Sequence, residues 1–171
     1  MNITTKIIIT DTNIITDLFN ANILEEFINI PNVYISDMIK NDEINSKTGN
    51  VTLINKFKVI PATAVQLVEI NALSLEERKL SIYDLLNYVI ARDNNAILAT
   101  GDNRLKIYSE KNGVTVYRTL KLIKLMYEKN VISYEKAIDG CNMLKKCSTT
   151  RIPRNDIDNL IKDLKEDLIT T

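Results

Sequence analysis

The chain predicts an α/β domain built on a five-stranded, mostly parallel sheet flanked by helices. Three observations carry that expectation. Short apolar runs rich in β-branched residues recur five times, at residues 7–10, 33–35, 57–60, 96–99 and 114–117. Stretches with apolar residues at helical spacing separate them, and strand–helix–strand alternation favours parallel pairing with helices packed on the sheet. Acids then follow two of the runs, Asp11 and Asp102, at the strand ends where open α/β sheets bind ligands.

Each element has a local cause. The first strand, 7–10, is bounded by Asp11; helical spacing follows at 13–19 and 24–28, broken by Asn20-Ala21-Asn22. Pro31-Asn32 turns the chain into the second strand, after which Ser36 or Asp37 caps a helix reaching to about residue 44. A polar loop over 45–50 leads to the third strand, stopped by Pro61. Thr63 caps a helix whose apolar side is Val65, Leu67, Val68 and Ala72. Ser81 opens the clearest helix, 82–92, with Leu85, Leu86, Val89 and Ile90 facing in and Asp93-Asn94-Asn95 ending it. After the fourth strand, Gly101-Asp102-Asn103 is a turn, and the helix over 105–110 stops at Asn112-Gly113. Three helical patterns follow the fifth strand, at 120–129, 134–146 and 156–168, with Ser133 and Asn155 as caps for the last two.

Composition bounds the chemistry. With 171 residues the chain reads as one domain that can bury a sizeable core. Its 22 basic and 22 acidic side chains cancel, so global charge neither favours nor excludes a nucleic-acid partner. The absence of histidine rules out a Ser-His-Asp triad, a Cys-His pair and a His-ligated zinc. Two cysteines, Cys141 and Cys147, cannot build a four-thiolate zinc site, and at i and i+6 they point apart and stay reduced. Acid–base work therefore falls to carboxylates, Lys, Tyr or a metal. The opening residues 1–6 are polar and no run approaches the roughly 18 apolar residues of a membrane span. The expectation is a cytoplasmic protein with no membrane partner.

Four acids stand out, and each has a structural role that competes with a chemical one. Asp11 is a natural helix cap, and Asp102 sits in a turn whose residues favour turns. Ser81-Ile82-Tyr83-Asp84 is close to a capping box, worth on the order of 1 kcal/mol. Asp42-Glu43 falls near a helix end, where an acid opposes the helix dipole by roughly 0.3–1 kcal/mol. Two carboxylates about 4 Å apart repel by roughly 4 kcal/mol at an effective dielectric near 20. A cluster of four makes sense if Mg²⁺ or Mn²⁺ occupies it, because hard cations take carboxylate oxygens.

The stretch Ile7-Ile8-Ile9-Thr10-Asp11-Thr12-Asn13-Ile14-Ile15 with Leu18 resembles the opening of a PIN domain. Leu80-Ser81-Ile82-Tyr83-Asp84, Ala91-Arg92 and Ile97-Leu98-Ala99-Thr100-Gly101-Asp102 with Leu105 resemble its second half. Residues of the tail, among them Ala137, Leu144, Arg151-Ile152-Pro153, Ile157 and Leu160, resemble C-terminal extensions of some prokaryotic PIN proteins. The resemblance implies a Rossmann-like sheet of strand order 3-2-1-4-5. It also implies a PIN nuclease domain over 1–130 and a helical extension over 131–171 packed on the same domain.

It further implies a divalent-metal-dependent endoribonuclease. Asp11, Asp84 and Asp102 match the family's metal-binding acids, and Glu43 is the best match for the helix-borne catalytic one, with Asp42 left open. Asn13 and Thr100 match the small polar residues that orient the first and last acids, and Ser81 supports Asp84. One or two Mg²⁺ or Mn²⁺ ions would bridge acids and scissile phosphate, and in-line attack of water would leave a 5′-phosphate and a 3′-hydroxyl. Many such proteins are toxins of toxin–antitoxin pairs, held by a small antitoxin, and the family is often dimeric. Arg104, Lys106, Arg118, Lys121 and Lys124 follow the last acid within reach of RNA phosphates, and Lys145, Lys146, Arg151 and Arg154 form a second basic group. Such charges are commonly just a solvated helix face.

Two other readings compete. A haloacid-dehalogenase-type phosphatase also has an Asp after its first strand and a late Gly-Asp. It needs a second Asp where this chain has Asn13, and a Lys that 90–100 lacks. A PIN scaffold that binds RNA or protein without cleaving it is the third.

Overall fold

The computed structural model describes residues 2–40 and 55–170. In chain order the elements are β1 (Ile8–Thr10), α1 (Thr12–Asn20), α2 (Leu24–Ile28), β2 (Val33–Ser36), β3 (Lys58–Ile60), α3 (Ala64–Glu76) and α4 (Ile82–Asp93). Then come β4 (Ile97–Ala99), α5 (Asn103–Lys111), β5 (Val116–Tyr117), α6 (Thr119–Glu128), α7 (Tyr134–Lys146) and α8 (Arg154–Thr170). The five strands form one sheet in the order β3-β2-β1-β4-β5, and every pairing is parallel. The predicted α/β class and strand order therefore hold. β1 is central, pairing Ile8 with Val33 on one side and with Ile97 on the other. The order of the chain through the sheet reverses between β1 and β4, which opens a crevice at their C-terminal ends.

Strand periodicity divides the core in two. Ile8, Ile35, Ile97 and Ala99 point to the face covered by α1, α2, α6, α7 and α8, where Leu18, Phe27, Ile123, Leu144 and Leu164 are buried. Ile9 and Leu98 point to the other face, against Ile70 of α3, Leu86 and Ile90 of α4 and Leu105 of α5. The last two helices share this core: Ala137, Cys141 and Leu144 of α7 and Ile157, Leu160 and Leu164 of α8 pack with α1, α2 and α6. Both cysteines are free thiols.

Helix ends follow the punctuation in the sequence. Asn22, Asn95, Asn130 and Gly113 take positive φ where the chain leaves a helix, the conformation that Asn and Gly tolerate best. Ser133 caps α7 through its bond from the Lys136 amide. Asn155 is not a cap: α8 begins at Arg154, and the Pro153 carbonyl accepts from the Asp156 and Ile157 amides. Proline has no amide to lose at such a boundary. β5 is shorter than its apolar run, because Val114 is buried by the turn after α5 and only Val116–Tyr117 pairs.

The inward face of α3 differs from the pattern of its apolar residues. Val65 and Val68 are 78% and 71% exposed, Leu67 and Ala72 are exposed too, and Gln66 and Ile70 face in. Two polar anchors set the rotation. Gln66 closes a capping box with Thr63 and donates from Nε2 to Asp93 at 2.9 Å. One turn on, Glu69 takes both Arg92 guanidinium nitrogens, at 2.5 and 2.8 Å. A bidentate, charge-assisted pair fixes geometry as well as adding energy. Arg92 thus clamps α3 to α4.

Candidate functional site

Three of the four predicted acids lie among the described residues, and each sits at a helix N-terminus. Asp11 leaves β1 at its C-terminal end, its amide bonded to the Ala99 carbonyl at 3.0 Å, so it lies beside the end of β4. Its Oδ1 caps α1 by accepting from the Ile14 amide at 2.9 Å. Its Oδ2 accepts from the Thr100 hydroxyl. The same Thr100 oxygen accepts from the Asp102 amide at 3.0 Å. Thr100 is fully buried, and it links the ends of the two central strands through side-chain bonds.

Asp102 caps α5, its Oδ1 accepting from the Arg104 and Leu105 amides at 2.7 and 2.9 Å. Asp84 is the N3 residue of a complete capping box at the start of α4: its Oδ2 accepts from the Ser81 amide and hydroxyl, both at 2.8 Å. The capping roles expected for Asp11, Asp84 and Ser81 are therefore present, and Asp102 adds one that turn chemistry alone does not predict. Glu43 and its alternative Asp42 lie outside the described residues.

Electrostatics ties Asp11 to Asp84. Burial pushes the Asp11 carboxyl up from 3.8 to about 6, against the Thr100 and Ile14 hydrogen bonds that favour its charged form. The Asp84 charge raises it further, and the Asn13 side chain lowers it weakly. Among the described residues no three acid or thiol side chains stand close enough together to enclose a metal ion. The donor chemistry nonetheless fits a hard, hydrated cation. All the donors are carboxylate oxygens, and Asp84 Oδ1 and Asp102 Oδ2 accept no hydrogen bond from the described residues. Mg²⁺ typically takes only one or two carboxylates and keeps its waters. A cation here would also favour the charged form that burial disfavours at Asp11.

A cleft of about 690 Å³ opens beside the acids. Asn13 lines it two residues after Asp11, and Gly101 and Asn103, which flank Asp102, line it too. Its far wall is the segment between α7 and α8, with Thr149, Arg151, Ile152 and Pro153. Gly101 lets the walls meet closely, since a Cβ there would stand 3.0 Å from the Asn13 Cβ.

Four of the nine basic residues proposed from the sequence reach the cleft or are set beside it. Lys106, Arg118 and Arg151 line it, and Arg104 lies exposed on the same first turn of α5 as Asn103. Lys121 is exposed on α6. Lys124 and Lys145 instead pair with acids of α8, Asp163 at 3.4 Å and Asp158 at 2.5 Å, and so hold that helix down.

Asp17 is the residue that sequence reasoning missed. Its carboxylate accepts from the Thr119 hydroxyl at 2.7 Å and from the Thr150 hydroxyl at 3.3 Å, joining α1, α6 and the α7–α8 segment at the cleft floor. Burial raises its pKa, and the two hydroxyls and Arg118 lower it. The available signal was its place one turn after Asn13, as an acid set into the apolar stripe Ile14, Ile15 and Leu18. Against known proteins, the chain matches no family model, no curated protein and no solved structure.

Proposed function

We propose that the protein is a divalent-metal-dependent endoribonuclease of the PIN type. The observation that supports this most is the Asp11–Thr100–Asp102 linkage at the switch point between β1 and β4, with Asp84 near enough to act on Asp11. Asp11, Asp84 and Asp102 would hold Mg²⁺ or Mn²⁺, which when bound supplies a Lewis acid for the phosphate and a more acidic water. Thr100 fixes the Asp11 carboxylate in one rotamer and holds the Asp102 backbone against it. The capping bonds do the same for Asp84 and Asp102, each using one carboxylate oxygen and leaving the other to the site. The N-termini of α1, α4 and α5 add positive dipole ends that suit a phosphate. Glu43 would complete the acid set, and Arg104, Lys106, Arg118 and Lys121 would meet backbone phosphates.

Cleavage of a mixed RNA pool with Mn²⁺, with Mg²⁺ and with chelator tests the reading. Asp102→Asn should abolish metal-dependent cleavage while the fold stays within about 1 kcal/mol of the wild type, because Asn caps helices as well as Asp does. Wild-type cleavage by that variant would refute the assignment of the acids. The family resemblance extends the proposal to a cytoplasmic toxin, dimeric and held by a small antitoxin. Growth arrest on expression, relieved by Asp102→Asn, is the corresponding outcome. For the membrane, the described residues contain no helix long and apolar enough to cross one.

The separation of the three acids among the described residues favours one alternative, a PIN-type scaffold that binds RNA or protein without cleaving it. Calorimetric Mn²⁺ binding with no cleavage of any RNA would support that alternative.

A further inference from the structure

We infer that the cleft beside the acids is a nucleotide subsite, which seats one nucleotide of a single-stranded RNA next to the scissile phosphate and takes one wall from the α7–α8 segment. The inference rests on the nuclease reading and adds to it where the strand is gripped. The cleft, about 690 Å³, falls within the roughly 300–1,000 Å³ of small-ligand sites.

Its charge suits one phosphodiester. Lys106, Arg118 and Arg151 line it together with Asp17 and Asp156, three cations against two carboxylates, which leaves one positive charge. Asp17 is already engaged by the Thr119 and Thr150 hydroxyls. Arg118 is held in the wall by donating to the Gly101 carbonyl at 2.9 Å and to Asn103 Oδ1 at 3.4 Å, so its guanidinium is ordered in advance. Lys106 and Arg151 make no hydrogen bond or ion pair with the described residues. They contrast with Lys124 and Lys145, which are spent on α8.

Beside these cations, Leu120, Ile152 and Pro153 give the cleft an apolar wall against which an unstacked base can lie. Asn13 and Thr149 supply donors and acceptors at its edges. Because Asn13, Gly101 and Asn103 flank Asp11 and Asp102 in the chain, a nucleotide held here adjoins the acids. A paired strand cannot turn a base into the wall, so the subsite selects single strands.

The test is binding of a short fluorescent single-stranded oligoribonucleotide to the full chain in chelator, followed by anisotropy over a range of salt. Arg151→Ala and Lys106→Ala should each weaken binding about tenfold, the scale of one charge-assisted contact. Each should also lower the logarithmic salt slope by about 1. Lys111→Ala, an exposed charge at the far end of α5 and outside the cleft, should stay within about twofold of wild type. Both cleft variants binding like wild type would overturn the inference, and so would an equal loss in Lys111→Ala or equal binding of the duplex form. Cleavage is read separately with Mn²⁺. An RNA-cleaving protein whose cleft variants bind normally loses the subsite and keeps the nuclease. Cleft-dependent binding without any cleavage loses the nuclease and keeps the nucleotide site.

Discussion

Asp11 answers to the fold and to the site at once, and the two demands are separable by pH. It caps α1, yet it is buried beside another acid, and its carboxyl is pushed up to about 6. An acid whose folded-state pKa is raised favours the fold fully below its ordinary value, near pH 3.8, and loses that contribution as the pH climbs through about 6. The shift corresponds to roughly 3 kcal/mol. Metal-free protein is therefore expected to lose thermal stability between pH 4 and 6, with the loss abolished in Asp11→Asn and flattened by Mn²⁺. A melting temperature indifferent to pH over that window would mean that Asp11 is not buried as described. Titration followed by NMR should also place the Asp11 midpoint lower in Asp84→Asn, which removes a repelling charge, and higher in Thr100→Val, which removes a donor.

At the scale of elements, local capping signals were the most legible part of the sequence. Asp11, Ser81 with Asp84 and Thr63 with Gln66 all act as their residue types predict. Rotation about a helix axis was less legible. For α3 the apolar side is decided by Gln66 and Glu69, whose partners Asp93 and Arg92 lie on another helix, and no periodicity in α3 alone reports them. Close helix approach was likewise invisible. Gly140 in α7 has no room for a Cβ, which would meet the Ile23 Cδ1 at 2.4 Å and the Ala21 carbonyl at 3.1 Å. Gly140→Ala should cost about 1–3 kcal/mol through overpacking, despite its better helix propensity. Urea denaturation measures it, and a stabilised variant would show that the α1–α2 corner yields freely.

For the molecule as a whole, five strand-like runs and an alternating pattern were enough for a mostly parallel sheet, whereas the order that sets β1 beside β4 came from the family resemblance and not from the acids at the strand ends. Asp17 was not legible because its partners Thr119 and Thr150 lie more than a hundred residues downstream. The cleft was not legible for the same reason: its walls come from both ends of the chain. The tail beyond α7 is an integral part of the core, since Ile157, Leu160 and Leu164 are buried with Phe27 and Leu18. Deleting residues 154–171 removes three buried aliphatic side chains, on the order of 1.5–3 kcal/mol each, which is comparable to the net stability of a small domain. The shortened chain should be insoluble or lack a cooperative melt by circular dichroism, and a sharp, wild-type-like transition would mark the tail as dispensable.

The central position of β1 has a consequence for how the molecule comes into being. Its Asp11 meets Thr100 across 89 residues, and Asp17 meets Thr150 across 133. On a ribosome adding roughly 5–20 residues per second, the first strand waits for seconds before its second neighbour exists. The cleft gains its α7–α8 wall later still, so a nascent chain carries Asp11, Asp84 and Asp102 before the cleft beside them is complete.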